Sequence, residues 1–346
     1  MNQNIDERKS SYFINMRRYH NTIKRGLYNK YTNNIDNLLD LACGKGGDLD
    51  KWVSNKIKNV IGYDIDAVSI KEAERRIKEY NSKTTNISVY VKDLSTYIIP
   101  GDKKMDVISS MFAFHYFFKS IETFNTIMSS IENNLKDDGI FMGTMFDGLQ
   151  MRNCIKDGNF ELIDNKELRF KVKLISENEG FFGNKISVFL KDTVLDEPMD
   201  EYLVYFNKFV EIMKERNFEL IESKMFNELF YAENIKKNKL NNIEKSISFL
   251  NRTFVFKKIK QNSICKKDTD YLIDCQWTKK DIILQKYKNA LSNNINNTNS
   301  IELKKKYTFI RDNFESININ ELPINLQEYF KVIYNMYLVD ISKYNK

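Results

Sequence analysis

Two carboxylates that close apolar runs carry the most chemistry in this chain of 346 residues. Asp40 ends Leu38-Leu39 and opens onto Leu41-Ala42-Cys43-Gly44-Lys45-Gly46-Gly47-Asp48-Leu49, with Lys51-Trp52 just behind, and Asp64 ends Val60-Ile61-Gly62-Tyr63. A strand that finishes in an acid and turns through glycines lets the backbone come close to a ligand at the carboxyl edge of a parallel sheet. A second acid roughly twenty residues further on suits the hydroxyl pair of a ribose. Neither phosphate-cradling signature is present, because there is no GxxxxGK[ST] and the loop lacks the full GxGxxG spacing. That favours S-adenosylmethionine, a nucleoside cofactor with no phosphate, over a dinucleotide or ATP. Taken alone, the glycine turn also fits a generic nucleotide site or a purely structural loop.

Periodicity and punctuation supply the elements that must position these acids. After the two strands named above, a charged helical stretch from Val68 to Tyr80 leads to Ile87-Ser88-Val89-Tyr90-Val91, ended by Lys92-Asp93. Met105 to Ser110 reads as a fourth strand, Ile121 to Leu135 as a helix and Gly139 to Thr144 as a fifth strand. This alternation predicts a doubly wound α/β sheet. Residues 159–195 instead show β-like runs, Arg169 to Ile175 and Ile186 to Leu190, that read as a small antiparallel insertion over the sheet's carboxyl edge, either a lid or a passive appendage. A C-terminal extension follows over 259–346, with a helical stretch at Lys279 to Leu291, an Asn-rich linker at Asn293 to Ser300 and an amphipathic stripe of Leu326, Tyr329, Phe330, Ile333 and Tyr337.

Composition narrows the classes. A hydrophobic content of 42% is enough for a core, and the net charge of +7 suits a polyanionic partner as well as it suits a solvated surface. Four cysteines without a CxxC and two separated histidines, His20 and His115, predict neither a disulfide framework nor a metal site. The N-terminus is polar and no apolar run approaches the ~18 residues of a membrane span, so an intracellular, reducing setting and no membrane are expected.

The stretch Asp40-Leu41-Ala42-Cys43-Gly44-Lys45-Gly46-Gly47-Asp48-Leu49-Asp50-Lys51-Trp52 resembles the first motif of messenger-RNA cap guanine-N7 methyltransferases. Further pieces follow in that family's order. Arg18 to Lys24 resembles the segment upstream of the motif, Ser109 to Tyr116 its SSQFxxHY, Glu201-Tyr202 its later Glu-Tyr pair, and Phe218 to Phe230 its closing strand and turn. The likeness runs from about Arg17 to Lys258. It implies a Rossmann-like class I methyltransferase fold over 1–258 and S-adenosylmethionine as cofactor. Lys24 is then implied at the methionine carboxylate, Asp40 with the backbone of Ala42 and Gly44 at the amino-acid end, Asp64 at the ribose, Asp93 at the adenine edge, and Met111, Phe112 and Tyr116 beside them. On the cap side it implies His115 and Tyr116 against guanine, Glu201 on its Watson–Crick edge, and Asn21, Lys45, Lys51, Arg76 and Asn251 around the cap and its triphosphate. Ala42 stands where the family commonly has glycine, a change that the backbone contact should tolerate, and Met111 where it has glutamine. Asn251, in Phe249-Leu250-Asn251-Arg252, stands where cellular members have tyrosine, a departure that looks more like the cap methyltransferases of large DNA viruses.

Guanine N7 is a nucleophile without a proton and the methyl sulfonium is already activated, so such a transfer needs alignment and neither a general base nor a metal. No catalytic side chain is therefore assigned. The expected substrate is the capped 5′ end of RNA, with a guanylyltransferase/triphosphatase or an RNA polymerase as possible partners, in cytoplasm or nucleus, or in host cytoplasm or a virion for a viral chain. The alternatives are a methyltransferase acting on another RNA or a small molecule, and a catalytically silent subunit that stimulates a capping partner.

Overall fold

A computed structural model describes residues 12–178, 180–193, 197–232, 239–260 and Tyr334. The helical stretch at Lys279 to Leu291, the linker and the stripe from Leu326 to Tyr337 lie outside these described residues. The alternation begins with α1 (Ile14–Tyr31), β1 (Asn37–Leu41), α2 (Leu49–Ser54), β2 (Asn59–Asp64), α3 (Ala67–Tyr80), β3 (Asn86–Val91) and β4 (Met105–Met111). A 3-10 helix (Phe114–Lys119), α4 (Ile121–Asn134), β5 (Leu135–Phe146) and α5 (Gly148–Cys154) follow. The chain then makes β6 (Asn159–Asp164), β7 (Glu167–Ser176), β8 (Lys185–Leu190) and β9 (Met199–Tyr202). It closes with α6 (Phe206–Glu215), β10 (Phe218–Glu222), α7 (Phe226–Ala232), α8 (Asn242–Ser248) and β11 (Asn251–Lys258).

One sheet has the order β10-β11-β5-β4-β1-β2-β3. Its five strands from β5 to β3 are parallel, whereas β11 pairs antiparallel with both β5 and β10. The strand order reverses between β1 and β4, two parallel neighbours, so the loops after them border the switch point where open α/β sheets take their ligands. β1 reads as a continuous apolar run because Leu38, Leu39 and Leu41 are all fully buried between helical layers. Leu38, Trp52, Val60, Ile70, Val89 and Val107 belong to one core cluster. A second body of rings, among them Phe114, Phe124, Phe141, Phe209 and Phe254, packs at centroid separations of 5.0–6.4 Å.

The insertion forms a four-stranded antiparallel sheet of order β6-β7-β8-β9. It reaches Tyr202, beyond the 159–195 expected, because β9 pairs with β8 through Ile186↔Glu201 and places Glu201 on its edge strand. Its two chain ends are tied together, with Gly148 N–H donating to Val204 O at 2.9 Å. A Cβ at Gly148 would lie 2.5 Å from that same carbonyl oxygen, so only glycine permits the approach. Arg252 of β11 adds a bond to Asp147 at 2.7 Å, and Asp147 also caps α5 by accepting from Gln150 N–H.

Candidate cofactor and cap site

The loop after β1 turns on left-handed residues: Ala42 at φ 63°, Gly44 at 52° and Gly46 at 66°. Two glycines adopt this region without steric cost, but Ala42 does not. The expected tolerance at Ala42 therefore comes with local strain on the order of 1 kcal/mol. Asp64 holds the loop in place, accepting Gly44 N–H through Oδ2 at 2.7 Å and Asp66 N–H through Oδ1 at 2.9 Å. Ile65 beside it is 65% exposed, an apolar surface available to a ring. Asp93, on the surface after β3, accepts from the backbone and hydroxyl of Ser95 at 2.9 and 2.6 Å.

Asp40 is buried at the end of β1 and accepts from Ser109 Oγ at 2.7 Å. Burial, with the nearby Asp48 charge adding to it, pushes its carboxyl up to about 8. Asp48 sits between two lysines, 2.6 Å from Lys24 Nζ and 2.9 Å from Lys51 Nζ. Burial alone would raise the Asp48 carboxyl, but the two ammonium groups outweigh it and hold it below its ordinary value.

Lys51 corrects one expectation. A lysine meeting the cap triphosphate must reach solvent, yet Lys51 is 1% exposed. Its Nζ lies on Asp48, on Asn21 Oδ1 at 3.2 Å, on Gly47 O at 3.3 Å and on Asp50 at 3.2 Å. Its work is to hold Asp48 and, through it, Lys24. Asn251 is a second correction, because its Nδ2 donates to the carbonyls of Ile247 and Ser248 at 3.1 and 3.2 Å and so closes the last turn of α8 instead of facing outward. Arg76 is bonded to Glu72 one turn back on α3 at 2.8 Å. Lys45 is half-buried on the loop, and its charge contributes to holding the Asp66 carboxyl down, after the larger effect of the Ser69 hydroxyl.

Asn21 and Lys24 owe their placement to the seating of α1. Its first turn has no side-chain cap of its own, and Met16 N–H is satisfied instead by Glu244 Oε1 at 2.8 Å from α8. His20 of the same helix stacks on Phe112 at 5.0 Å and meets Ser248 Oγ at 2.9 Å. Burial, then the charge of Lys24, pushes His20 down to about 3, leaving a neutral ring. Phe112 has φ 61°, a left-handed turn at the end of β4 pinned by its N–H on Thr144 O at 2.8 Å. Met111 Sδ lies 4.0 Å from Thr144 Oγ1.

That turn aims the 3-10 helix at the edge of the second sheet. His115 Nε2 comes to 3.3 Å from Glu201 Oε2, and Tyr116 OH donates to Glu201 Oε1 at 3.2 Å. His115 and Glu201 are each 3% exposed, and the two ring nitrogens and Oε2 complete no hydrogen bond among the described residues. Burial, then the Glu201 charge, raises the Tyr116 phenol and keeps it a donor. His115, Tyr116 and Glu201, all expected on the cap side, lie together in the structure, whereas Asp48, His20 and Ser109 were not among the expected site residues. Asp48 was visible as an acid three residues before Lys51, whereas His20 and Ser109 carry no pattern that separates them from core residues.

Five parallel strands whose order reverses between β1 and β4, closed by an antiparallel β11 and carrying an acid at the ends of β1 and β2, define a Rossmann-like class I S-adenosylmethionine-dependent methyltransferase fold. A family model described as the mRNA (guanine-N(7))-methyltransferase domain matches residues 1–279, and the chain belongs to that family. Similar proteins include the mRNA cap guanine-N(7) methyltransferase of Schizosaccharomyces pombe, 29% identical over 239 residues, with 66% of each chain covered. Another is mRNA cap guanine-N(7) methyltransferase 1 of Oryza sativa, 30% identical over 251 residues and again 66% of each. The likeness spans less than two thirds of the length of these relatives, falling to 56% for that of Eremothecium gossypii. Among solved structures, a putative S-adenosylmethionine-dependent methyltransferase from Listeria monocytogenes is 16% identical, covers 71% of this chain and 99% of its own, and superposes with a TM-score of 0.49.

Proposed function

We propose that this protein transfers a methyl group from S-adenosylmethionine to N7 of the guanine cap of RNA. The observation that carries this reading is the buried His115–Glu201 pair, brought together from the 3-10 helix and the edge strand β9, whose two ring nitrogens and Oε2 complete no hydrogen bond among the described residues. Buried polar groups cost free energy unless satisfied, so such a cluster fits a ligand that brings its own hydrogen bonds. The Watson–Crick edge of guanine presents neighbouring N–H donors and suits the Glu201 oxygens.

The donor set also fits the cofactor. Asp64 suits the ribose hydroxyls, Ile65 a purine face, Asp93 the adenine edge, Asp40 the α-ammonium and Lys24 the carboxylate. When bound, S-adenosylmethionine supplies a methyl group already activated on sulfonium. This chain's residues then have only to bind and orient: N7 carries no proton, so His115 and Glu201 hold the base and neither removes a proton from it. Asp48 keeps Lys24 directed by its 2.6 Å ion pair. Burial around Asp40 and the Lys24–Asp48 pair strengthens the electrostatic contacts at the amino-acid end.

The capped RNA 5′ end is the substrate in this reading, and triphosphatase and guanylyltransferase partners would supply the earlier steps. An intracellular site of action, cytoplasmic or nuclear, goes with it. Incubation with labelled S-adenosylmethionine and capped or uncapped RNA, followed by nuclease digestion, tests the proposal. Label at N7 of the cap is expected; cofactor binding without transfer would instead identify a silent subunit, and label elsewhere another methyltransferase.

A further inference from the structure

Trp52, Tyr28, Ser109 and Asp40 form a buried chain of hydrogen bonds drawn from α2, α1, β4 and β1. Trp52 Nε1 donates to Tyr28 OH at 3.3 Å, Tyr28 OH to Ser109 Oγ at 3.1 Å, and Ser109 Oγ to Asp40 Oδ1 at 2.7 Å. Trp52, Tyr28 and Ser109 are fully buried. The direction of the chain is set by chemistry. An indole N–H can only donate, so the Tyr28 oxygen accepts there and its single proton passes to Ser109, whose own proton is left for Asp40. All three bonds therefore polarise toward the carboxylate, and in a dry interior such bonds strengthen one another. Among the described residues Ser109 supplies the sole hydrogen bond on Asp40, through Oδ1, and Oδ2 carries none.

A buried carboxylate needs this support. Asp40 faces the carboxylates of Asp48 and Asp64, the ammonium of Lys24, the phenol of Tyr28 and the thiol of Cys43. Burial and the two acids favour the protonated form, in which the group meets a cation only as a dipole, while Ser109 and Lys24 favour the ionised one. We propose that Tyr28 and Trp52 are positioning residues that act through Ser109, easing the ionisation of Asp40 and fixing it by Oδ1 so that Oδ2 receives the α-ammonium of S-adenosylmethionine. The inference rests on the cofactor reading above and adds to it a way of selecting for the amino group.

The test is calorimetric binding of two ligands, S-adenosylhomocysteine and its analogue lacking the α-amino group, to wild type, Tyr28→Phe, Trp52→Phe and Ser109→Ala. Wild type should prefer the amino-bearing ligand by about tenfold or more, the scale of one charge-assisted hydrogen bond. The variants should lose most of that preference while the affinity for the deamino analogue stays within about twofold, which also reports an intact fold. In Ser109→Ala the acid limb of S-adenosylhomocysteine binding should move to higher pH, since a donor to the carboxylate is gone. Should an apolar variant fail to fold, Ser109→Cys keeps a similar volume with a weaker donor and should give an intermediate preference. Equal weakening of both ligands, or full preference retained in every variant, overturns the relay while leaving cofactor binding standing. Wild type that binds neither ligand would refute the cofactor reading, and the relay with it.

Discussion

Glu201→Gln separates recognition of guanine from proton transfer. Glu201 Oε1 accepts from Tyr116 OH at 3.2 Å, and a glutamine carbonyl oxygen can keep that bond. The new NH2 then falls at the Oε2 position, 3.3 Å from His115 Nε2, where a donor replaces an acceptor toward guanine. The loss is roughly 1.5–3 kcal/mol for a hydrogen bond to a charged group, or about 10- to 150-fold in cap affinity. Stability should change by less than about 1 kcal/mol because the shape is kept. Fluorescence titration with an unmethylated cap dinucleotide should show this loss, while calorimetry shows S-adenosylmethionine affinity unaltered. Turnover should fall by the same factor at every pH, since no carboxylate limb arises where the nucleophile has no proton. Cap affinity within about threefold of wild type would remove Glu201 from the site and, with it, the argument that the second sheet takes part in recognition.

Lys51→Met should lower folding stability by roughly 2–4 kcal/mol, because Asp48 loses one of two buried counter-charges, and should weaken cofactor affinity with it; urea unfolding beside calorimetry checks both, and a change confined to RNA affinity would restore Lys51 to the cap. The pH dependence of stability should contain two opposing slopes. His20 has its folded value pushed down to about 3, so its contribution is lost as pH falls below the unfolded value near 6.5. Asp40 has its folded value pushed up to about 8, so its contribution is lost as pH rises from about 4 to 8. His20→Gln should accordingly be least harmful, relative to wild type, at pH 5, and Asp40→Asn should raise unliganded stability at pH 8 by on the order of 1–3 kcal/mol while abolishing cofactor binding; denaturant midpoints across pH 5–8, with calorimetry for the cofactor, check both signs. Ala42→Gly should be neutral or stabilising by up to about 1 kcal/mol, since the strain at φ 63° is removed against a greater entropy loss on folding; a lower thermal midpoint would show that the Cβ packs usefully.

The main sheet and the acids at its carboxyl edge were legible in the sequence for a physical reason. Strands buried on both faces must be apolar throughout, and acids such as Asp40 and Asp64 that end such runs fall at the carboxyl edge wherever the strands pair in parallel. The glycine turn after β1 is likewise local, written in the residues that adopt a positive φ. Which charges reach solvent is not local. Lys51 resembled a phosphate-binding lysine until α1 and Asp48 closed over it, and Asn251 resembled a cap contact until its amide met the last carbonyls of α8. The reach of the insertion was also decided in three dimensions, because β9 is only Met199–Tyr202 and its acidic stretch has no periodicity of its own; pairing with β8 makes it a strand. Tertiary packing alone brings His115 and Tyr116, the latter 85 residues away in sequence, against Glu201, and links Trp52, Tyr28 and Ser109 to Asp40. Sequence patterns record what each segment buries, whereas the partners of a buried polar group are chosen only when distant segments meet.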